Sequence, residues 1–182
     1  MDMKTLYLIG GTMGVGKTTV CRELYRMLPG SVFLDGDWCW DMHPFVVNGE
    51  TKAMVMDNIC TLLNNFLKCS TLENIVFCWV MHQQSIIDEI LSRLELGECR
   101  VVCISLTCTE AALKSRLQKD ISGGLRRQDI LERSVGRLPL YEKLNTVKID
   151  TTLKTAAQTA REIAGQSKSA PFGASKFQIK KK

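Results

Sequence analysis

Thr5-Leu6-Tyr7-Leu8-Ile9, then Gly10-Gly11-Thr12-Met13-Gly14-Val15-Gly16-Lys17-Thr18-Thr19, then Val20 and Leu24 at helical spacing, read as strand, glycine loop and helix. Gly11, Gly16, Lys17 and Thr18 fill the pattern G-x-x-x-x-G-K-[ST]. In that pattern the loop N–H groups surround phosphate oxygens, the lysine reaches the β- and γ-phosphates, and the hydroxyl ligates Mg²⁺. Phosphate binding explains the residue types, since glycine has no Cβ to bar a diphosphate from the backbone. The helix that follows points its free N–H groups and positive dipole end at the same anion. The stretch therefore predicts a bound nucleoside triphosphate, ATP with Mg²⁺, held by Gly11, Thr12, Met13, Gly14, Val15, Gly16, Lys17, Thr18 and Thr19.

The chain of 182 residues suits one domain with a core of its own. Its formal charge of +5 has a local source. Residues 165–182 hold Lys168, Lys176, Lys180, Lys181 and Lys182 and no acid, which leaves 19 basic against 19 acidic residues in the body. Residues 1–164 are thus read as the folded domain and 165–182 as a basic, disordered tail. A neutral body disfavours nucleic acid as a partner, because backbone binding asks for a positive groove. The eight cysteines form no C-x-x-C, the two histidines stand apart, and several cysteines lie in apolar runs such as Ile75-Val76-Phe77-Cys78. They read as reduced, buried thiols rather than disulfides or a zinc site. The absence of a signal peptide and of any run of about 18 apolar residues predicts a cytoplasmic protein without a membrane span.

Beyond the loop, Val20, Leu24, Met27 and Leu28 keep a helical stripe that Pro29-Gly30 ends, and Ser31-Val32-Phe33-Leu34 delivers Asp35-Gly36-Asp37 at a strand's carboxyl end. A helix is expected over about 50–68, a buried strand over 74–81, a helix through Ile86 to Leu94, a strand over Arg100–Thr107 and a helix over Thr109–Gln118. Lys119 to Gln128, with Arg126 and Arg127, reads as a short cationic lid. Ile130, Leu131, Val135 and Leu138 suggest a helix with Arg133 and Arg137 on or near its open face. Thr146–Asp150 reads as the last strand, and Ala156 to Ala164 as the closing helix. Strand and helix alternate, so the fold class is α/β: a parallel sheet with helices on both faces and ligands at the strands' carboxyl ends.

On the glycine loop and the Asp35-Gly36-Asp37 triplet the chain resembles small P-loop kinases of the shikimate kinase and gluconate kinase type, themselves similar to nucleoside monophosphate kinases. The resemblance covers roughly residues 4–165 in order and spacing. It implies the three-layer α/β/α P-loop NTPase fold with a five-stranded parallel sheet and a short lid. It also implies that Asp35 joins Thr18 in the metal shell and that Asp37 orients or deprotonates the acceptor. By the same resemblance Arg126 or Arg127 closes on the phosphates, Arg116 stacks on adenine, and Asp150, Thr151 and Thr152 border the base. Catalytic roles then fall to Lys17, Asp37, Arg126 and Arg127. The chain departs from the shikimate pattern in having Trp79-Val80-Met81-His82-Gln83-Gln84 after its third strand, and no basic residue for a sugar acid is evident near Trp38 to His43.

Phosphoryl transfer asks a protein mainly to align donor and acceptor and to neutralise developing charge. The expected activity is therefore ATP-dependent transfer of the γ-phosphoryl group to a hydroxyl or phosphate of a small molecule. A stand-alone P-loop ATPase and a polynucleotide 5′-end kinase are the alternatives. Asp35-Gly36-Asp37 also suits a solvated turn, and Trp38 and Trp40 suit rim packing as well as stacking on an acceptor ring. Nothing in the sequence fixes the oligomeric state.

Overall fold

The computed structural model describes residues 3–125 and 128–166. The tail beyond 166 and the lid arginines Arg126 and Arg127 lie outside the described residues. The elements follow in the order β1 (Thr5–Gly11), α1 (Lys17–Met27), β2 (Ser31–Asp35), α2 (Gly49–Lys68), β3 (Asn74–Cys78) and α3 (Gln84–Ser92). Then come β4 (Arg100–Thr107), α4 (Glu110–Ser122), α5 (Ile130–Glu142), β5 (Val147–Asp150) and α6 (Ala156–Gln166). A 3₁₀ turn over Gly36–Trp40 follows β2 directly.

The five strands are all parallel in the order β2-β3-β1-β4-β5. Strand β1 lies at the centre and all seven of its residues are buried, because helices cover both faces. Alternate side chains serve opposite layers. Leu6 and Leu8 of β1 join Ile75 and Phe77 of β3 against Val55, Ile59 and Leu63 of α2 and Ile87 and Ile90 of α3. Tyr7 and Ile9 join Val76 and Cys78 against Val20, Cys21 and Leu24 of α1 and Ala160 and Ile163 of α6. Each fully buried leucine or isoleucine contributes roughly 1.5–3 kcal/mol. That stabilisation holds the carboxyl ends of β1 and β2 in fixed register on either side of β3, where Ile9 and Asp35 both pair with Cys78.

The three-layer α/β/α P-loop architecture expected from the sequence is the one found. Two of the shifted boundaries lie beside the site. The third strand ends at Cys78 rather than Met81: the Trp79 N–H still reaches the Ile9 carbonyl at 3.2 Å, but β2 stops at Asp35 and offers no partner beyond it. Helix α4 runs on to Ser122, and the Gly123 N–H caps the Lys119 carbonyl at 3.0 Å. The segment between α4 and α5 is accordingly shorter than the expected lid.

All eight cysteines are free thiols. Burial pushes the Cys103 thiol up to about 12 and the Cys99 thiol up to about 11, which keeps both protonated. No helix among the described residues is long and apolar enough to cross a membrane.

Candidate active site

The glycine loop joins β1 to α1 and sits at the carboxyl edge of the sheet. Gly14 and Gly16 have φ of +83° and +105°, the left-handed region that side chains avoid. A Cβ on Gly14 would stand 2.5 Å from Leu117 Cδ2, so the loop presses directly onto α4. Gly16 caps α1 without a side chain, which leaves the first-turn N–H groups facing the loop's hollow. Lys17 opens the helix and bends back, its Nζ donating to the Thr12 carbonyl at 3.2 Å. Burial lowers the Lys17 pKa, and the nearby Asp37 and Asp35 carboxylates oppose that shift. A buried cation on a glycine cradle, next to two acids, matches a site for a polyphosphate.

Strand β2 delivers Asp35 to the same place. Its carboxylate is 5% exposed and accepts the Thr18 hydroxyl at 2.7 Å through Oδ2 and the Asp37 N–H at 3.1 Å through Oδ1. The second bond starts the 3₁₀ turn and puts the Asp37 side chain at the surface, beyond the phosphate loop. Thr18 and Asp35 fit a Mg²⁺ ion: a hydroxyl and a carboxylate side by side are hard oxygen ligands, and such sites leave the remaining positions to phosphates and water. The expected grouping of Lys17, Thr18, Asp35 and Asp37 is thus found at one edge of the sheet.

A cavity of about 600 Å³ opens beside Asp37, lined also by Trp38, Trp40, Asp41, Phe45 and Arg137. Arg137 comes from α5, near the open face expected for it, and turns into this cavity. It is half-buried and enters none of the ion pairs among the described residues. Its charge reaches His82, whose pKa is lowered first by burial and then by Arg137, against the Val80 carbonyl. The sequence held a signal for this placement. Ile130, Ser134, Arg137 and Tyr141 fall on one helical stripe, and Ile130, Ser134 and Tyr141 are its buried residues. The Ser134 carbonyl accepts the Thr12 hydroxyl at 2.8 Å and ties α5 to the phosphate loop.

On the far side of the loop, Arg116 of α4 donates to the Val15 carbonyl at 3.2 Å, to Thr151 Oγ1 at 3.0 Å and to the Thr151 carbonyl at 2.6 Å. Asp150 accepts the Thr152 N–H at 2.8 Å and its hydroxyl at 2.6 Å, and these bonds hold its carboxyl below the usual range. Arg116, Asp150, Thr151 and Thr152 are therefore brought together beside Val15. The guanidinium is engaged edge-on by carbonyls, which leaves its flat faces for stacking. Arg126 and Arg127 lie outside the described residues.

A family model described as an AAA domain matches residues 8–132, a span that takes in the phosphate loop, Asp35, Asp37 and Arg116. The chain belongs to this AAA-domain family. Its fold within the family is that of small P-loop kinases. A gluconokinase from Sinorhizobium meliloti 1021 superposes with a TM-score of 0.67 at 18% identity, over 92% of this chain and 94% of its own. The tunicamycin resistance protein of Deinococcus radiodurans gives 0.63 at 18%, over 90% and 95%. A shikimate kinase from Acinetobacter baumannii, solved with shikimate, gives 0.59 at 22%, over 91% and 93%. No curated protein matches the sequence. Likeness at these identities establishes the fold of this AAA-domain protein and leaves its acceptor to be argued from the site.

Proposed function

We propose that the protein is an ATP-dependent phosphotransferase that moves the γ-phosphoryl group to a hydroxyl of a small, anionic acceptor. The observation that supports this most is the continuity of two half-sites through one carboxylate. Asp35 binds the hydroxyl of Thr18 in the phosphate loop and, by its other oxygen, the backbone of Asp37 at the cavity. Donor and acceptor would thus be held on one rigid strand end, which is where the rate advantage of alignment arises.

In this reading the loop from Gly11 to Thr19 and Lys17 hold the triphosphate, and Arg116, Asp150, Thr151 and Thr152 border the base. Thr18 and Asp35 hold Mg²⁺, which when bound offsets the charge that builds on the phosphoryl oxygens. Asp37 accepts the proton of the acceptor hydroxyl. The acceptor oxygen then bonds to the γ-phosphorus as the bond from phosphorus to the β,γ-bridging oxygen breaks, and ADP leaves with the released charge.

Arg137, the cation of the cavity lining, offers a fork of donors to an acid group on the acceptor. A cavity with two carboxylates and one guanidinium suits a small molecule better than a polynucleotide backbone. The test is a panel of hydroxy acids, sugars and nucleosides incubated with ATP and Mg²⁺ and read for ADP and for phosphorylated product by mass. Acceptor-dependent ADP release with a matching product supports the proposal. ADP release at one rate with or without every acceptor, and no product, overturns it in favour of a plain ATPase.

A further inference from the structure

Half of the cavity's lining is aromatic: Trp38, Trp40 and Phe45. Each ring is anchored on one side. Trp38 meets Phe33 edge-on at 5.3 Å between centroids, and Trp40 packs on the apolar core and meets Phe45 at 6.0 Å with a 53° tilt. The other sides face water, with Trp38 52% and Phe45 67% exposed. Val46 and Val47, next in the chain, are exposed too. Single exposed apolar residues are ordinary, but a run of them rimming a polar cavity marks a binding surface.

The polar half of the lining is Asp37, Asp41 and Arg137. Asp37 and Asp41 can only accept hydrogen bonds when ionised, and Arg137 can only donate. A ring-free polyhydroxy acid could donate its hydroxyls to Asp37 and Asp41 but would leave the exposed aromatic faces wet. A flat ring would cover those faces in the offset or edge-on geometries aromatic pairs prefer.

We infer that the acceptor carries a planar aromatic or heteroaromatic ring, seated on Trp40 and Phe45 with Trp38 at the rim, its acid group at Arg137 and its hydroxyl at Asp37. This rests on the phosphotransferase reading and adds the acceptor's class to it. Packing alone accounts for the inner faces of Trp38 and Trp40. It does not account for Phe45, whose ring meets Trp40 and otherwise faces outward.

The experiment uses the full chain with Mg²⁺ and the non-hydrolysable imido analogue of ATP, and reads binding by calorimetry. The probes are 4-(hydroxymethyl)benzoate, related hydroxyaryl acids, benzyl alcohol and gluconate. The expected result is that at least one aryl acid binds about tenfold or more tighter than gluconate and than benzyl alcohol. Phe45→Ala, a surface change, should weaken that aryl acid about fivefold or more and leave gluconate within about twofold. Arg137→Ala should weaken the aryl acid but not benzyl alcohol. Gluconate binding as tightly as every aryl acid, an indifferent Phe45→Ala, or no aryl-acid binding up to about 20 mM overturns the inference. Aryl acids that bind with this pattern but are never phosphorylated with ATP support the ring pocket and overturn the kinase reading instead.

Discussion

Thr18 and Asp35, seventeen residues apart in the chain, meet at 2.7 Å, hydroxyl to carboxylate, where α1 begins and β2 ends. The bond joins the phosphate loop to the strand that carries Asp37. Asp35→Asn keeps the shape of the side chain and removes its charge. Changing a residue that only supports a metal ligand costs about 10–100-fold in affinity or activity, and the loss of a charged ligand should cost at least as much. The Mg²⁺ concentration for half-maximal ADP formation should therefore rise about tenfold or more. Magnesium titrations of the two proteins at fixed ATP measure it, and an unchanged midpoint would remove Asp35 from the metal shell.

Gly14→Ala should damage both stability and nucleotide binding. The new methyl would have to adopt φ of +83° and would stand 2.5 Å from Cδ2 of the buried Leu117. Overpacking of this kind costs about 1–3 kcal/mol. Urea unfolding measures the loss. Truncation of the neighbour in a Gly14→Ala, Leu117→Ala pair should return part of it, because the two sites share one contact.

Lys17 gives the opposite pattern. Its pKa is lowered, chiefly by burial, so the folded state disfavours the charged form. Below the lowered pKa the lysine is charged in both states and the fold bears the desolvation cost, which fades as pH climbs from the lowered value to the ordinary lysine value. Lys17→Met should then raise the urea midpoint of the nucleotide-free protein at pH 7 and lower turnover about 100-fold or more. Loss of both stability and turnover would mean that the charge supports the fold.

The alternation of strand and helix, and nearly every element boundary, could be read from the chain because each rests on local periodicity and on glycine and proline stops. The lateral strand order could not. Apolar runs say that β1 and β3 are covered on both faces, not that β3 stands between β1 and β2. The phosphate loop, Asp35 and Asp37 were visible because a short motif fixes their spacing. Arg137 was not, since the stripe it shares with Ile130, Ser134 and Tyr141 shows which way it faces but not that α5 packs beside the cavity that Asp37 lines. The early end of β3 was hidden for the same reason: Trp79 and Val80 are as apolar as the strand, and only the end of β2 shows why pairing stops.

His82 predicts a pH effect. Its pKa lies below the ordinary histidine value, through burial first and Arg137 second. Above the ordinary value the ring is neutral folded or unfolded; as pH falls through the window below about 6.5, the unfolded chain takes up the proton more readily. Stability should therefore decline as pH drops from about 7 to 5, and His82→Asn should flatten that part of the curve. Urea midpoints across the range measure it, and equal slopes for both proteins would exclude the histidine as the cause.

The central claim is that Asp37 serves the acceptor while the phosphate loop serves ATP. Single-turnover phosphoryl transfer by Asp37→Asn, measured beside its ATP dissociation constant, tests that division directly. The expected result is an ATP constant within about twofold of the parent and transfer slowed about 100-fold or more. Transfer at the parent rate, or a loss explained wholly by weaker ATP binding, would contradict it.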